Sequence, residues 1–147
     1  MEQTQDDLPP VVPALMQGTA PFWFPRYVVR SAENAHLPYL FWVLQTLRPA
    51  SIMQIGLADG AAYLAMCQAA KRLGLKTKMT GVNWPVATPS LPTEALLHHA
   101  QHYAAFSQIL STDPVDLVKQ GPTNALDLLI VTPPFDQTLQ AALQAIP

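Results

Sequence analysis

The segment Ser51-Ile52-Met53-Gln54-Ile55-Gly56-Leu57-Ala58-Asp59-Gly60-Ala61-Ala62-Tyr63 constrains the fold more than any other stretch of the chain. A short apolar run, Ile52 to Ile55, breaks at Gly56, turns through a second glycine at Gly60, and passes directly into a helical pattern. Glycine lets the backbone take positive φ and lets a ligand approach closely. The helix that follows presents unpaired N–H groups at its first turn, where an anion or carboxylate is favoured. A strand–loop–helix unit of this kind narrows the chain to the nucleotide-type α/β folds. Two glycines also serve an ordinary tight turn, so the loop alone does not decide between the two.

The remaining pattern predicts strands alternating with helices. Helix is expected over Pro38 to Leu47, with proline in its first turn and Tyr39, Leu40, Phe41, Trp42, Val43, Leu44 and Leu47 making it apolar almost all round. Such a helix should be buried on several sides. Ile52 to Ile55 is the first strand, and Ala61 to Leu73 is an Ala-rich helix ending in Lys71, Arg72 and Gly74. Lys78 to Val82 is the second strand; Thr93 to Tyr103 is a helix with Thr93 as its cap; Phe106 to Leu110 is the third strand. Asp113 to Lys119 is a short helix with an Asp-Pro start, Leu126 to Val131 the fourth strand, and Gln137 to Ile146 the last helix. Four alternations predict a parallel sheet with right-handed crossovers, and Leu128-Leu129-Ile130-Val131 has the continuous apolar character of a strand buried on both faces.

A chain of 147 residues, half of them apolar, suits one domain with a real core. Prolines at positions 9, 10, 13, 21 and 25 mark residues 1–30 as an irregular arm, leaving 31–147 as the domain. The arm carries Phe22, Trp23 and Phe24, too apolar for a solvated linker, so it should dock on the domain or on a partner. The net charge of −2 and the lack of a basic patch argue against nucleic acid. No apolar run is long enough for a bilayer and no signal peptide is evident; with a single cysteine, Cys67, this predicts a cytoplasmic protein without membrane insertion. Cys67 itself reads as buried helix filler.

Three segments resemble the class I S-adenosylmethionine-dependent methyltransferases, and most closely the bacterial domains of that fold linked to sugar and polysaccharide biosynthesis. His36-Leu37-Pro38-Tyr39-Leu40-Phe41-Trp42 through Leu47-Arg48-Pro49 is similar to the helix preceding the fold. Gln54-Ile55-Gly56-Leu57-Ala58-Asp59-Gly60-Ala61-Ala62-Tyr63 is similar to the cofactor loop. Gly81-Val82-Asn83-Trp84 is similar to the end of the second strand. The resemblance covers residues 31–84 and implies a Rossmann-like parallel sheet of order 3-2-1-4. It further implies an S-adenosylmethionine site drawn from Gln54, Gly56, Asp59, Gly60, Asn83, Trp84 and Thr132.

The departures shape the functional expectation. The family places a carboxylate where Gln54 stands, and an Asp or Glu that accepts both ribose hydroxyls where Asn83 stands. An amide offers one acceptor oxygen beside a donor NH₂, and each lost charge-assisted contact weakens binding by roughly 1–3 kcal/mol. The family's sheet also has more strands than the four read here. The expected protein is a truncated or degenerate methyltransferase domain that binds S-adenosylmethionine weakly and acts through self-association or a protein partner. The alternative is an active methyltransferase on a small or sugar-linked acceptor.

Asp59 is expected to cap the helix after it in preference to touching a cofactor. Thr132-Pro133-Pro134-Phe135 resembles the Asp/Asn/Ser-Pro-Pro-aromatic loop of amino-methyltransferases, with threonine a poor substitute for the acid or amide, and it also serves as a plain strand stop. His98 and His102 share a helix face, but no carboxylate or cysteine completes a metal set with them or His99, and all three read as exposed or half-buried surface residues. His36 reads as structural. No nucleophilic triad is evident, and no catalytic residue is assigned.

Overall fold

The computed structural model describes residues 18–84, 91–120, 126–132 and 137–144. Among them β1 (Ser51–Ile55), β2 (Lys78–Asn83), β3 (Ser107–Ser111) and β4 (Leu128–Val131) form one parallel sheet of order β3-β2-β1-β4. Helices α1 (Leu37–Leu47), α2 (Ala61–Arg72), α3 (Thr93–His102), α4 (Pro114–Gln120) and α5 (Gln137–Gln144) alternate with the strands, and 3₁₀ turns lie at Ala20–Phe22 and Ala32–His36. This is the α/β architecture and strand order expected from the sequence. Pro133 to Phe135, the loop at Pro85 and Pro89, and the end of the last expected helix lie outside the described residues.

The pleat sends alternate side chains into two cores. On one face Ile52 and Met79 meet α1, α2 and α3 through Phe41, Leu44, Tyr63, Met66 and Tyr103. Fully buried Phe41 and Leu44 each contribute roughly 1.5–3 kcal/mol by leaving water. On the other face Ile55 and Val82 meet Val115 and Leu139 from α4 and α5. α1 stops at Arg48, which sits at φ 47° ahead of Pro49 and donates its N–H to Leu44 O at 3.0 Å. α2 ends with Leu75 N–H on Ala70 O (3.0 Å) and Gly74 N–H on Lys71 O (3.1 Å), the paired bonds of a Schellman close.

Four local expectations need correction. α1 is not buried all round: among the described residues nothing covers Tyr39 and Leu47, which are 62% and 60% exposed. Thr93 does not cap α3; Pro92 holds the cap position and no side chain bonds there. The arm docks only through alternate residues: Trp23 stacks with Phe41 and under the Arg72 guanidinium, while Phe22 and Phe24 stay exposed. It is held by Gln68, which accepts from Arg26 N–H and donates to Phe24 O. Finally, His99 is not a surface residue. It is buried, and its Nε2 bonds Ser107 Oγ at 2.8 Å; the same hydroxyl meets Tyr63 Oη at 2.6 Å and lies 3.8 Å from Cys67 Sγ. That hydroxyl therefore ties α2, α3 and β3 together.

Candidate functional site

β1 lies inside the sheet, between β2 and β4, so the loop leaving its C-terminal end sits among three strand ends. In open parallel sheets ligands bind at this edge, where the chain order reverses. Gly56, at φ +80°, donates its N–H to Val82 O at 3.0 Å, which puts it beside Asn83. A Cβ at Gly56 would meet Thr132 O at 3.0 Å, so only glycine lets the loop cross the end of β4. Ala58 holds φ 48°, a left-handed conformation that costs an L-residue about 1–2 kcal/mol. At Gly60, φ +89°, a Cβ would meet Leu91 Cδ1 at 3.0 Å and Ala95 Cβ at 3.2 Å. The second glycine thus permits helix packing, not an open cradle.

Gln54 is completely buried below this loop. Its Nε2 donates to Gly56 O and to Thr132 Oγ1, both at 3.1 Å. A carbonyl can only accept, and this fixes which way the amide points. The other end, Oε1, is buried without a hydrogen-bond partner. Thr132, picked out in the sequence for its place before two prolines, therefore has a definite contact: it holds Gln54.

The first turn of α2 is already engaged. Asp59 Oδ1 accepts from Ala61 N–H at 3.1 Å; Gly60 holds the cap position, so Asp59 engages the helix start from the residue before it. Glu33 Oε2 accepts from Ala62 N–H at 2.9 Å. Burial pushes the Glu33 carboxyl above the usual carboxylate range; the bond from Ala62 and the nearby His36 oppose this shift, while Asp59 adds to it. Sequence reasoning missed Glu33 because it reaches the loop from a separate 3₁₀ turn. Its only local signal is the Ser31-x-Glu33 start, where Ser31 Oγ accepts from Glu33 N–H.

Asn83 is half-buried at the end of β2, opposite Ser111 of β3. Trp84, expected beside it, instead turns into the second core with Ile55, Val82 and Val115. A groove of about 720 Å³ opens between α1 and β4. Glu33, His36, Thr46 and Thr132 supply its polar groups, and Tyr39, Trp42, Leu47 and Leu128 its apolar walls. Gly56, Gly60 and Asn83 are not part of its lining. The structure thus brings Gln54, Gly56, Asp59, Gly60, Asn83 and Thr132 to one sheet edge. Among the described residues no group of three metal-ligating side chains exists.

No protein-family model matches the chain, and no curated protein matches it. Solved structures do. The chain is similar to the SAH-bound methyltransferase PaMTH1 of Podospora anserina, at 10% identity and a TM-score of 0.57, over 79% of this chain and 48% of that one. It is similar to cofactor-bound Rv0187 from MTB, at 18% identity and a TM-score of 0.51, over 86% and 54%. It is also similar to cmcI-N160 with SAH, at 13% identity and a TM-score of 0.51, over 99% and 74%. The chain spans about half the length of the first two. At such identities the likeness establishes the fold, that of a Rossmann-like methyltransferase sheet.

Proposed function

We propose that the chain is a methyltransferase-fold module that keeps the outline of an S-adenosylmethionine site, holds the cofactor weakly, and works through association with a second copy or another protein. The observation that carries this is the closure of the loop on itself. The two first-turn amides of α2 are bonded to Asp59 and Glu33, and the Gln54 NH₂ to Gly56 and Thr132. The residues fit the cofactor in part. Gln54 Oε1 and the Asn83 amide remain as acceptors for an ammonium or a hydroxyl, whereas the Ala61 and Ala62 amides at the start of the helix are in use. Bound there, the cofactor would supply an electrophilic methyl group, and the chain's own share is orientation and exclusion of water.

Association is supported by β4. Its four residues are apolar and half-buried, and the strand lies at a sheet edge. Natural edges are normally covered or charged, and this one runs into the apolar groove beside α1. We further assign residues 1–30 to an arm and 31–147 to the domain, in a bacterial cytoplasmic setting. Among the described residues no helix is long and apolar enough to cross a membrane.

Calorimetric titration with S-adenosylmethionine tests the cofactor part. The expected wild-type affinity is weaker than about 100 μM, and Asn83→Asp should tighten it about tenfold. Low-micromolar binding that Asn83→Asp leaves unchanged would overturn it. Sedimentation tests the other part: self-association should be lost in Tyr39→Glu, an exposed groove residue, and a monodisperse monomer that captures no protein partner would refute it.

A second reading is active methyl transfer to a small or sugar-linked acceptor. The polar end of the groove favours it, since Glu33 and His36 are the titratable groups there beside Thr132. Formation of S-adenosylhomocysteine only when acceptor is present would select this reading.

A further inference from the structure

The opposite end of the sheet carries a second concavity, of about 780 Å³, far from the loop described above. It is bounded by the end of α2, the chain entering β2, and the turn between α3 and β3. Lys71, Lys76, Lys78 and His102 line it, and among the described residues no acidic one does. The chain has four lysines in all and a net charge of −2, so three of its four lysines meet in one cleft of an acidic protein. Like charges gathered at one place repel, and without an anion this is an unfavourable distribution of so few cations.

The three lysines are placed differently. Lys71 Nζ donates to His102 O at 3.1 Å, which answers the partial negative charge at the end of α3. Lys76 and Lys78 play no such structural part, since among the described residues neither ammonium has a carboxylate or a hydrogen-bond partner. They stand two apart on an extended segment, so both project to the same side. Buried Thr77 between them pins that segment by donating its hydroxyl to Pro49 O at 2.7 Å. Lys78 is further fixed by its backbone N–H on Ala50 O at 2.9 Å. The two ammonium groups therefore stand on a rigid base. His102 stands beside Lys71, its imidazole held below the ordinary value by partial burial and by Arg26 and Lys71. The floor of the cleft is buried Met79 and Ser107, and Leu75 and Phe106 supply apolar wall.

We propose that this cleft is a binding site for an oligophosphate group, carried by a small molecule and read by Lys71, Lys76 and Lys78. Lysine ammoniums act as point charges; they lack the planar fork with which arginine grips a single carboxylate. Three of them around one hollow suit a ligand with several negative charges and no fixed plane, such as a di- or triphosphate. Among the described residues arginine contributes nothing to the lining.

The test is calorimetry of the whole chain with inorganic triphosphate as the probe, at low and at physiological salt. Saturable binding of one probe per chain is expected, weakened by salt because the site is open to solvent. Lys76→Ala and Lys78→Ala should each weaken it about three- to fivefold, and the pair about tenfold or more. Both lysines are exposed, so circular dichroism of these variants should match the wild type. Lys119→Ala, which removes the same charge from α4, outside the cleft, should change nothing. ATP is the second arm: equal affinity means that the phosphates alone are read, and tighter binding means that the Phe106 wall adds to them; either sustains the site. Binding that is absent, that survives the Lys76→Ala/Lys78→Ala pair, or that Lys119→Ala weakens equally would overturn it.

Discussion

Replacing the buried amide by a carboxylate in Gln54→Glu should damage the fold at neutral pH. The wild-type amide donates to Gly56 O at 3.1 Å from a completely buried position. A carboxylate has no donor, so two acceptors would face each other there. The Thr132 hydroxyl, now an acceptor at 3.1 Å, can rotate and donate instead, which recovers one contact. The carbonyl left unsatisfied costs about 1–3 kcal/mol. Burying the charge adds to this, but with a ceiling, because the group can take up a proton. At about pH 7.3 that ceiling is about 4 kcal/mol, three units above the ordinary glutamate value of about 4.3 at about 1.36 kcal/mol each. The expected loss is therefore about 2–4 kcal/mol near neutrality. The folded-state value of the new carboxyl is raised, so its protonated form is the stable one. Stability should be close to wild type below about pH 4.3 and should fall as pH rises towards the raised value. Urea unfolding at about pH 4.5 and about pH 7.3 measures both. A variant within about 0.5 kcal/mol of wild type at neutral pH would refute the assignment of Gln54 as a donor to its own loop. S-adenosylmethionine that restores the lost stability would identify its ammonium as the missing partner.

Glu33→Ala should free the Ala62 N–H and cost about 0.5–2 kcal/mol in urea unfolding, whereas Glu33→Gln keeps an acceptor and should cost less. Cys67, buried and with its thiol pushed up to about 12 by that burial, should not react with thiol reagents until the chain unfolds; prompt labelling of the native chain would contradict the packing. His99 is held below its ordinary 6.5 mainly by burial, so the fold favours its neutral form. Its contribution is full above about pH 6.5 and is lost as pH falls from there towards the lowered value. The drop in urea midpoint between about pH 7.5 and about pH 5.5 should shrink in His99→Gln, and an unchanged drop would assign it to other groups.

The sheet was legible because its signals are local. Leu128 to Val131 is apolar without alternation and does form a strand, although at the sheet edge its four residues are only half-buried, and Gly56 and Gly60 both hold the positive φ their positions implied. The bond from Asp59 to the helix start was legible for the same reason, since it reaches only two residues on. What stayed hidden depends on residues distant in the chain. Glu33 reaches Ala62 from another segment, and His99 is drawn inward by Ser107 on a neighbouring strand. Trp84 follows Asn83 in sequence, yet its side chain enters the opposite core. Chain neighbours at the end of a strand point to opposite faces, and a motif cannot say which of them meets the ligand.

The order of pairing also sets a sequence of events during folding. β1 is central, and one of its edges pairs with β2, which follows after a single helix. The other waits for β4, which follows only after two further helices and β3. A chain emerging from the ribosome would hold Ile52 to Ile55 half-paired while residues 84–127 are made. Late, non-local pairings are slow, and an unpaired apolar strand invites the wrong partner meanwhile. The rate-limiting step is thus expected to be the arrival of β4 beside β1. Conditions that slow this step should favour aggregation over folding, even where the finished fold is stable.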